Sequence, residues 1–81
     1  MPSAARKSLE ARIKRLEEMI SRLNAKKSTL EARLADTALY QPESKDVLQA
    51  TLFDQANIGK ELGQLESEWL EKQAELEPRT T

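Results

Sequence analysis

The stretch LEARIKRLEEMISRLNAKKSTLEARL, residues 9–34, decides the fold. In it Leu9, Ile13, Leu16, Ile20, Leu23, Lys27, Leu30 and Leu34 recur at alternating intervals of four and three. That is a heptad repeat, with Leu9, Leu16, Leu23 and Leu30 at d and Ile13, Ile20, Lys27 and Leu34 at a. It lays a narrow apolar stripe along one side of a helix, and such a stripe needs a second one to cover it. The second lies beyond Pro42. Leu48, Gln55, Leu62, Trp69 and Leu76 fall at a, and Thr51, Ile58, Leu65 and Lys72 fall at d.

The expected architecture is therefore all-α, a two-helix antiparallel coiled-coil hairpin over residues 6–77. Helices are expected at 6–35 and 45–77, joined by a turn at 36–44. Residues 1–5 are expected to form a flexible N-terminal linker, and 78–81 a flexible C-terminal tail. Ser3 or Ser8 is suited to cap the first helix, whose length comes to roughly 40 Å at 1.5 Å per residue. Asp36-Thr37 disfavours continuation, and Pro42 pushes Gln41 out of the helical region. Ser44 is the expected N-cap of the second helix, and Pro78 its stop. A connection this short leaves the two helices no route to lie parallel, so they double back.

Composition narrows the function. Eighty-one residues make at most one small domain. One third of the residues are charged, with two glycines and three prolines, which suits long helices and leaves little material for loops. Cysteine and histidine are both absent, which excludes thiolate or imidazole metal sites, disulfides and histidine acid–base chemistry. The phosphate-cradling pattern G-x-x-x-x-G-K-[ST] is absent too, Gly59-Lys60 being an isolated dipeptide. The chain reads as a binding module and not an enzyme, with no catalytic residue, no cofactor and no metal of its own. No apolar run approaches the roughly 18 residues of a membrane span, so no membrane partner is expected.

Charge is divided between the halves. Residues 1–35 hold nine basic and four acidic side chains, a net of +5, whereas residues 36–81 hold four basic and ten acidic ones, a net of -6. Opposite charge favours pairing of the halves with each other, hence a monomer. Folding about residues 41–42 opposes positions whose numbers sum to about 82. Ile13 then meets Trp69, Ile20 meets Leu62, and Leu34 meets Leu48. Lys27 falls beside Gln55, with Asp54 nearby, in an expected polar layer that fixes register. The g edges bring Arg12 to Glu68, Lys26 to Asp54, and Arg33 to Asp46 and Val47. Along the e edge Glu17 faces Glu66.

The turn Leu34-Ala35-Asp36-Thr37-Ala38-Leu39-Tyr40, followed by Glu66-Ser67-Glu68-Trp69-Leu70-Glu71, resembles the C-terminal coiled-coil domain of the ABC-F (Uup-like) ATP-binding proteins. In that family an L-x-D…L-Y turn joins the helices and an E-x-x-W-L-E segment lies late in the second. The resemblance spans about residues 6–77, with Gly59 and Gly63 departing from it as weak helix formers inside helix two. It implies an appendage of a cytoplasmic, ribosome-associated or DNA-binding ATPase, one that contacts DNA or ribosomal RNA. ATP and magnesium would then belong to ATPase domains outside this chain, which would also be partners of the hairpin.

Within the chain the basic residues of helix one are the candidates for nucleic-acid binding. Lys7, Lys14, Arg15 and Arg22 have no obvious cross-helix partner, although Glu18 lies one turn from Lys14, Arg15 and Arg22. Their alternative role is to keep a surface wet. Arg12, Lys26 and Arg33 are assigned instead to acids of helix two. Trp69 reads as core, and Leu39, Tyr40 and Phe53 as an apolar plug at the turn, the alternative being that Tyr40 or Leu39 is a contact made by its tip. Leu52 and Leu70 lie outside the seam, either as ordinary exposed leucines or as contacts to an ATPase domain or a second copy. The runner-up function is a spacer or protein-interaction hairpin docking on the ATPase core or on a partner protein.

Overall fold

A computed structural model describes residues 3–76. Helix α1 (Ser3–Leu34) leads through two 3-10 turns, Thr37–Tyr40 and Pro42–Ser44, into helix α2 (Lys45–Leu76). Each helix has 32 residues, about 48 Å of rise, and the rod measures 60 × 21 × 15 Å. Its radius of gyration is 18.3 Å, against about 12 Å for a compact domain of this length. The all-α helical hairpin read from the heptads is the observed fold, with no strand among the described residues. No helix is long and apolar enough to cross a membrane among those residues.

The ends differ in detail from the sequence reading. Helix α1 begins at Ser3, so Ser3–Ala5 of the expected linker are helical and Ser8 lies inside the helix. Residue 77, Pro78 and the expected tail lie outside the described residues. Gly59 and Gly63 leave α2 unbroken, because a helix paired along its whole length tolerates two weak helix formers.

Side-chain chemistry closes the turn. The Asp36 carboxylate accepts from the Ala38 amide at 3.0 Å and caps the first 3-10 turn. The Leu39 amide donates to the Asp36 carbonyl and the Ser44 amide to the Gln41 carbonyl. The Tyr40 hydroxyl donates to the Leu34 carbonyl at 2.6 Å, satisfying one of the acceptors that the end of α1 leaves without an intrahelical partner. Pro42 opens the second 3-10 turn, where its missing donor costs nothing. Ser44 directly precedes α2, as expected of a cap, but its side chain makes no hydrogen bond among the described residues.

The core is a single seam. Ile13, Leu16, Leu30, Leu39 and Leu62 are buried, and Leu16 is the most enclosed at 1% exposure. Thr51 is buried as well, and its hydroxyl is satisfied by donating to the Val47 carbonyl at 2.7 Å. Half-buried a and d residues complete the stripe, Trp69 among them. Full burial falls in two stretches, Ile13, Leu16 and Leu62 toward the termini and Leu30, Leu39 and Thr51 toward the turn. Between them Leu23, Gln55 and Ile58 are only half-buried.

Three expected arrangements are absent. Lys27 is exposed and makes no polar layer with Gln55 and Asp54, since its long stem carries the ammonium into water more cheaply than any buried layer would hold it. Phe53 is 67% exposed and takes no part in a plug: it follows Thr51 by two residues, 200° around the helix from the seam. Tyr40 is 57% exposed and contributes its hydroxyl to the turn, leaving Leu39 to close the apolar end alone.

Candidate nucleic-acid interface

The register across the hairpin fixes which cations are spent internally. Arg12 forms a salt bridge to Glu68, with Nε donating to Oε1 at 3.1 Å, and Trp69 Nε1 donates to Glu17 Oε2 at 3.2 Å. Both pairs lie close to the expected sum of 82. The Trp69 bond also gives Glu17 a donor where the sequence set it against Glu66 alone. Arg6 pairs with Glu10 and Lys72 with Glu75, each within its own helix.

Those three ion pairs are the full set among the described residues. Lys26 and Asp54 border the same shallow groove but form no ion pair, and Arg33 forms none with Asp46. The reason is energetic. An exposed pair gains only about 0.2–1 kcal/mol and must hold two long side chains still. Of the nine basic residues in the first half of the chain, only Arg6 and Arg12 are paired. Lys7, Lys14, Arg15 and Arg22 are all exposed and unpaired, as are Lys26, Lys27 and Arg33.

Helix α1 arranges these charges in rows. Arg15 and Arg22 are seven residues apart, about 10.5 Å along the axis, on the edge that Lys26 and Arg33 continue. Lys7 and Lys14 form a parallel row one step around the helix. Lys14 and Arg22 border a hollow of about 410 Å³ that also holds Glu17 and Glu18, so the acids temper that part of the surface without pairing. Heptad geometry alone assigns Lys26 and Arg33 to partners. The structure adds them to the row of unpaired cations, and only side-chain placement distinguishes the two cases. On α2, Asp54 and Glu61 border the same groove as Lys26 and Arg33, and Glu68 and Glu75 the same hollow as Arg12, so acids flank the basic row on its α2 side. Glu66 borders the opposite groove with Glu17.

The residues that carry the family resemblance have structural work instead. Asp36 and Tyr40 hold the turn, Leu39 closes it, and Trp69 packs in the seam. Trp69 also borders an open groove of about 690 Å³ with Ile20 and Leu70, where its indole is half-buried. Comparison with protein-family models, with curated proteins and with solved structures finds no match.

Proposed function

We propose that the hairpin is a non-catalytic nucleic-acid-binding element that grips DNA or ribosomal RNA through its phosphates. The observation that carries this reading is the run of unpaired cations along one edge of α1: Arg15, Arg22, Lys26 and Arg33, with Lys7 and Lys14 beside them. Free cations on a helical scaffold displace condensed counterions from a phosphate backbone and need no base contact. The α2 acids that border the groove of Lys26 and Arg33 leave the outward rows of Arg15, Arg22, Lys7 and Lys14 as the surface a phosphate backbone would approach. The resemblance of the turn and of Glu66–Glu71 to the ABC-F coiled-coil domain supports placing the hairpin as an appendage of such an ATPase, acting in the cytoplasm, where ATP and magnesium are handled by other domains.

The test is a salt titration of binding to a short DNA duplex and to an RNA stem, comparing the parent with Arg15→Glu/Arg22→Glu. The double variant is expected to stay helical by circular dichroism and to lose most of its affinity for both probes. A folded variant that binds as well as the parent sinks the proposal. The spacer reading then stands, favoured by the exposure of Leu52 and Leu70, which lie clear of the basic edge.

A further inference from the structure

On the side of the rod opposite the groove of Lys26 and Arg33, the helices leave a second groove of about 690 Å³. Ile20, Trp69 and Leu70 form its apolar border, Leu70 being 62% exposed and the Trp69 indole half-buried. Two carboxylates stand at the same groove, Glu17 from α1 and Glu66 from α2. Ser21 and Asn24 complete the border and are uncharged. The groove thus carries negative charge from both helices and no cation on its border.

Register puts these groups together. Glu17 and Glu66 both occupy e positions, and e faces e across an antiparallel pair. The neighbours of Glu66 three and four residues away are Leu62, Gly63, Trp69 and Leu70, so its own helix offers it no cation. It takes part in no ion pair among the described residues. Glu17 is held by the indole, whose Nε1 donates to Oε2 at 3.2 Å and so fixes the carboxylate beside the ring. Lys14 lies one turn from Glu17, but the two border a separate hollow and do not pair. Like charges across one groove oppose the closing of the helices, and nothing among the described residues relieves them.

Apolar surface, an indole and two carboxylates together complement one kind of group, a cation carried on an apolar stem. Arginine has the matching parts. Its methylene stem covers apolar surface, and its planar, weakly hydrated guanidinium stacks on aromatic rings. Its five fixed donors can serve two carboxylates at once. A lysine ammonium is a more strongly hydrated point charge and gives up more on leaving water. Phosphate is repelled here, so the groove is unsuited to the ligand of the α1 cations. It is also open, and encloses too little of a small molecule to retain it, so the side chain has to arrive on a larger partner.

We infer that this groove receives an arginine side chain of a partner protein, its guanidinium shared by Glu17 and Glu66 and packed against Trp69. The inference is independent of the nucleic-acid reading, because it uses none of the α1 cations.

Trp69 is the one tryptophan of the chain, so its fluorescence reports on this groove. The full chain is titrated at low ionic strength with the blocked peptide acetyl-Gly-Arg-Gly-amide. Its lysine and citrulline counterparts are run beside it, citrulline keeping the shape of arginine without the charge. The arginine peptide is expected to change the emission saturably, the lysine peptide to bind more weakly, and the citrulline peptide not to bind. Glu17→Gln and Glu66→Gln are each expected to weaken arginine binding about two- to fivefold. Both variants are expected to stay folded, since Glu66 is exposed and glutamine at position 17 still accepts from the indole. Glu61→Gln, at the opposite groove, is expected to leave binding unchanged.

An emission that does not respond to the arginine peptide overturns the inference. So does a lysine or citrulline peptide that binds as tightly as the arginine one. A Glu61→Gln variant weakened as much as Glu66→Gln also overturns it, because the attraction is then general to the acids of α2. Emission of the unliganded chain that shifts with its own concentration overturns the assignment to a partner protein, since a second copy then fills the groove.

Discussion

Tyr40 reaches back over the turn to Leu34, its hydroxyl 2.6 Å from the carbonyl that ends α1. Six residues separate the two, and the bond holds the turn at the width set by the Asp36 cap. Tyr40→Phe keeps the ring and removes only this bond. It is expected to lower stability by about 0.5–1.5 kcal/mol, the ordinary net value of one hydrogen bond. Thermal melts check it, and an unchanged melting temperature would show that water replaces the hydroxyl without loss.

Burial ranks the seam positions. Leu16 is almost wholly enclosed, so Leu16→Ala is expected to cost about 2–5 kcal/mol. Trp69 is half-buried at the edge of an open groove, and Trp69→Ala is expected to cost less than Leu16→Ala despite the larger side chain removed. Chemical denaturation of the two variants at equal concentration decides the order. A larger loss at Trp69 would mean that the groove is closed in solution.

Arg12 and Lys26 occupy equivalent g positions, yet only Arg12 has a partner. Arg12→Ala is expected to cost about 0.2–1 kcal/mol, less at high salt, while Lys26→Ala leaves the melting curve where it was. In nucleic-acid titrations the roles reverse. Lys26→Ala and Arg33→Ala are each expected to reduce the salt slope by about one phosphate contact, as are Lys14→Ala, Arg15→Ala and Arg22→Ala. Salt slopes that ignore Lys26 but respond to Arg12 would contradict both halves of the assignment.

Gly63→Ala fills open space in a helix interior and is expected to stabilise the single hairpin by about 0.5–1 kcal/mol. Melts in dilute solution measure that gain. A melting temperature unchanged or lowered by the substitution would show that this part of α2 gains nothing from a better helix former.

The seam is legible in the sequence because an alternation of four and three has one helical reading. Every a and d position from Leu9 to Leu76 is buried or half-buried except Lys27. Register is legible for a related reason. A turn of fixed length sets which residues oppose, and the Arg12–Glu68 and Glu17–Trp69 contacts fall close to the expected pairing. Surface pairing is less legible. Heptad geometry puts Lys26 near Asp54 and Arg33 near Asp46 but cannot choose between a partner and water when the difference is below about 1 kcal/mol. The environment of Phe53 is misread for another reason: proximity in sequence to the turn says nothing of the side of the helix on which the ring lies. The turn's own chemistry, the Asp36 cap and the Tyr40 bond, becomes visible only once the backbone is placed.

The two stretches of full burial leave a waist, where Leu23, Lys27, Gln55 and Ile58 hold the helices together with half-covered side chains and an exposed ammonium. The helices run unbroken through it, but less of the seam is covered there than around Leu16 or Leu30. Amide hydrogens at the waist are expected to exchange with solvent faster than those around Leu16 and Leu30, and equal rates would show a uniformly stiff rod. Were the rod to bend there, the spacing between Arg15 and Arg33 would change without either half unfolding. The basic edge would then be a compliant ruler, able to follow a curved backbone as well as a straight one.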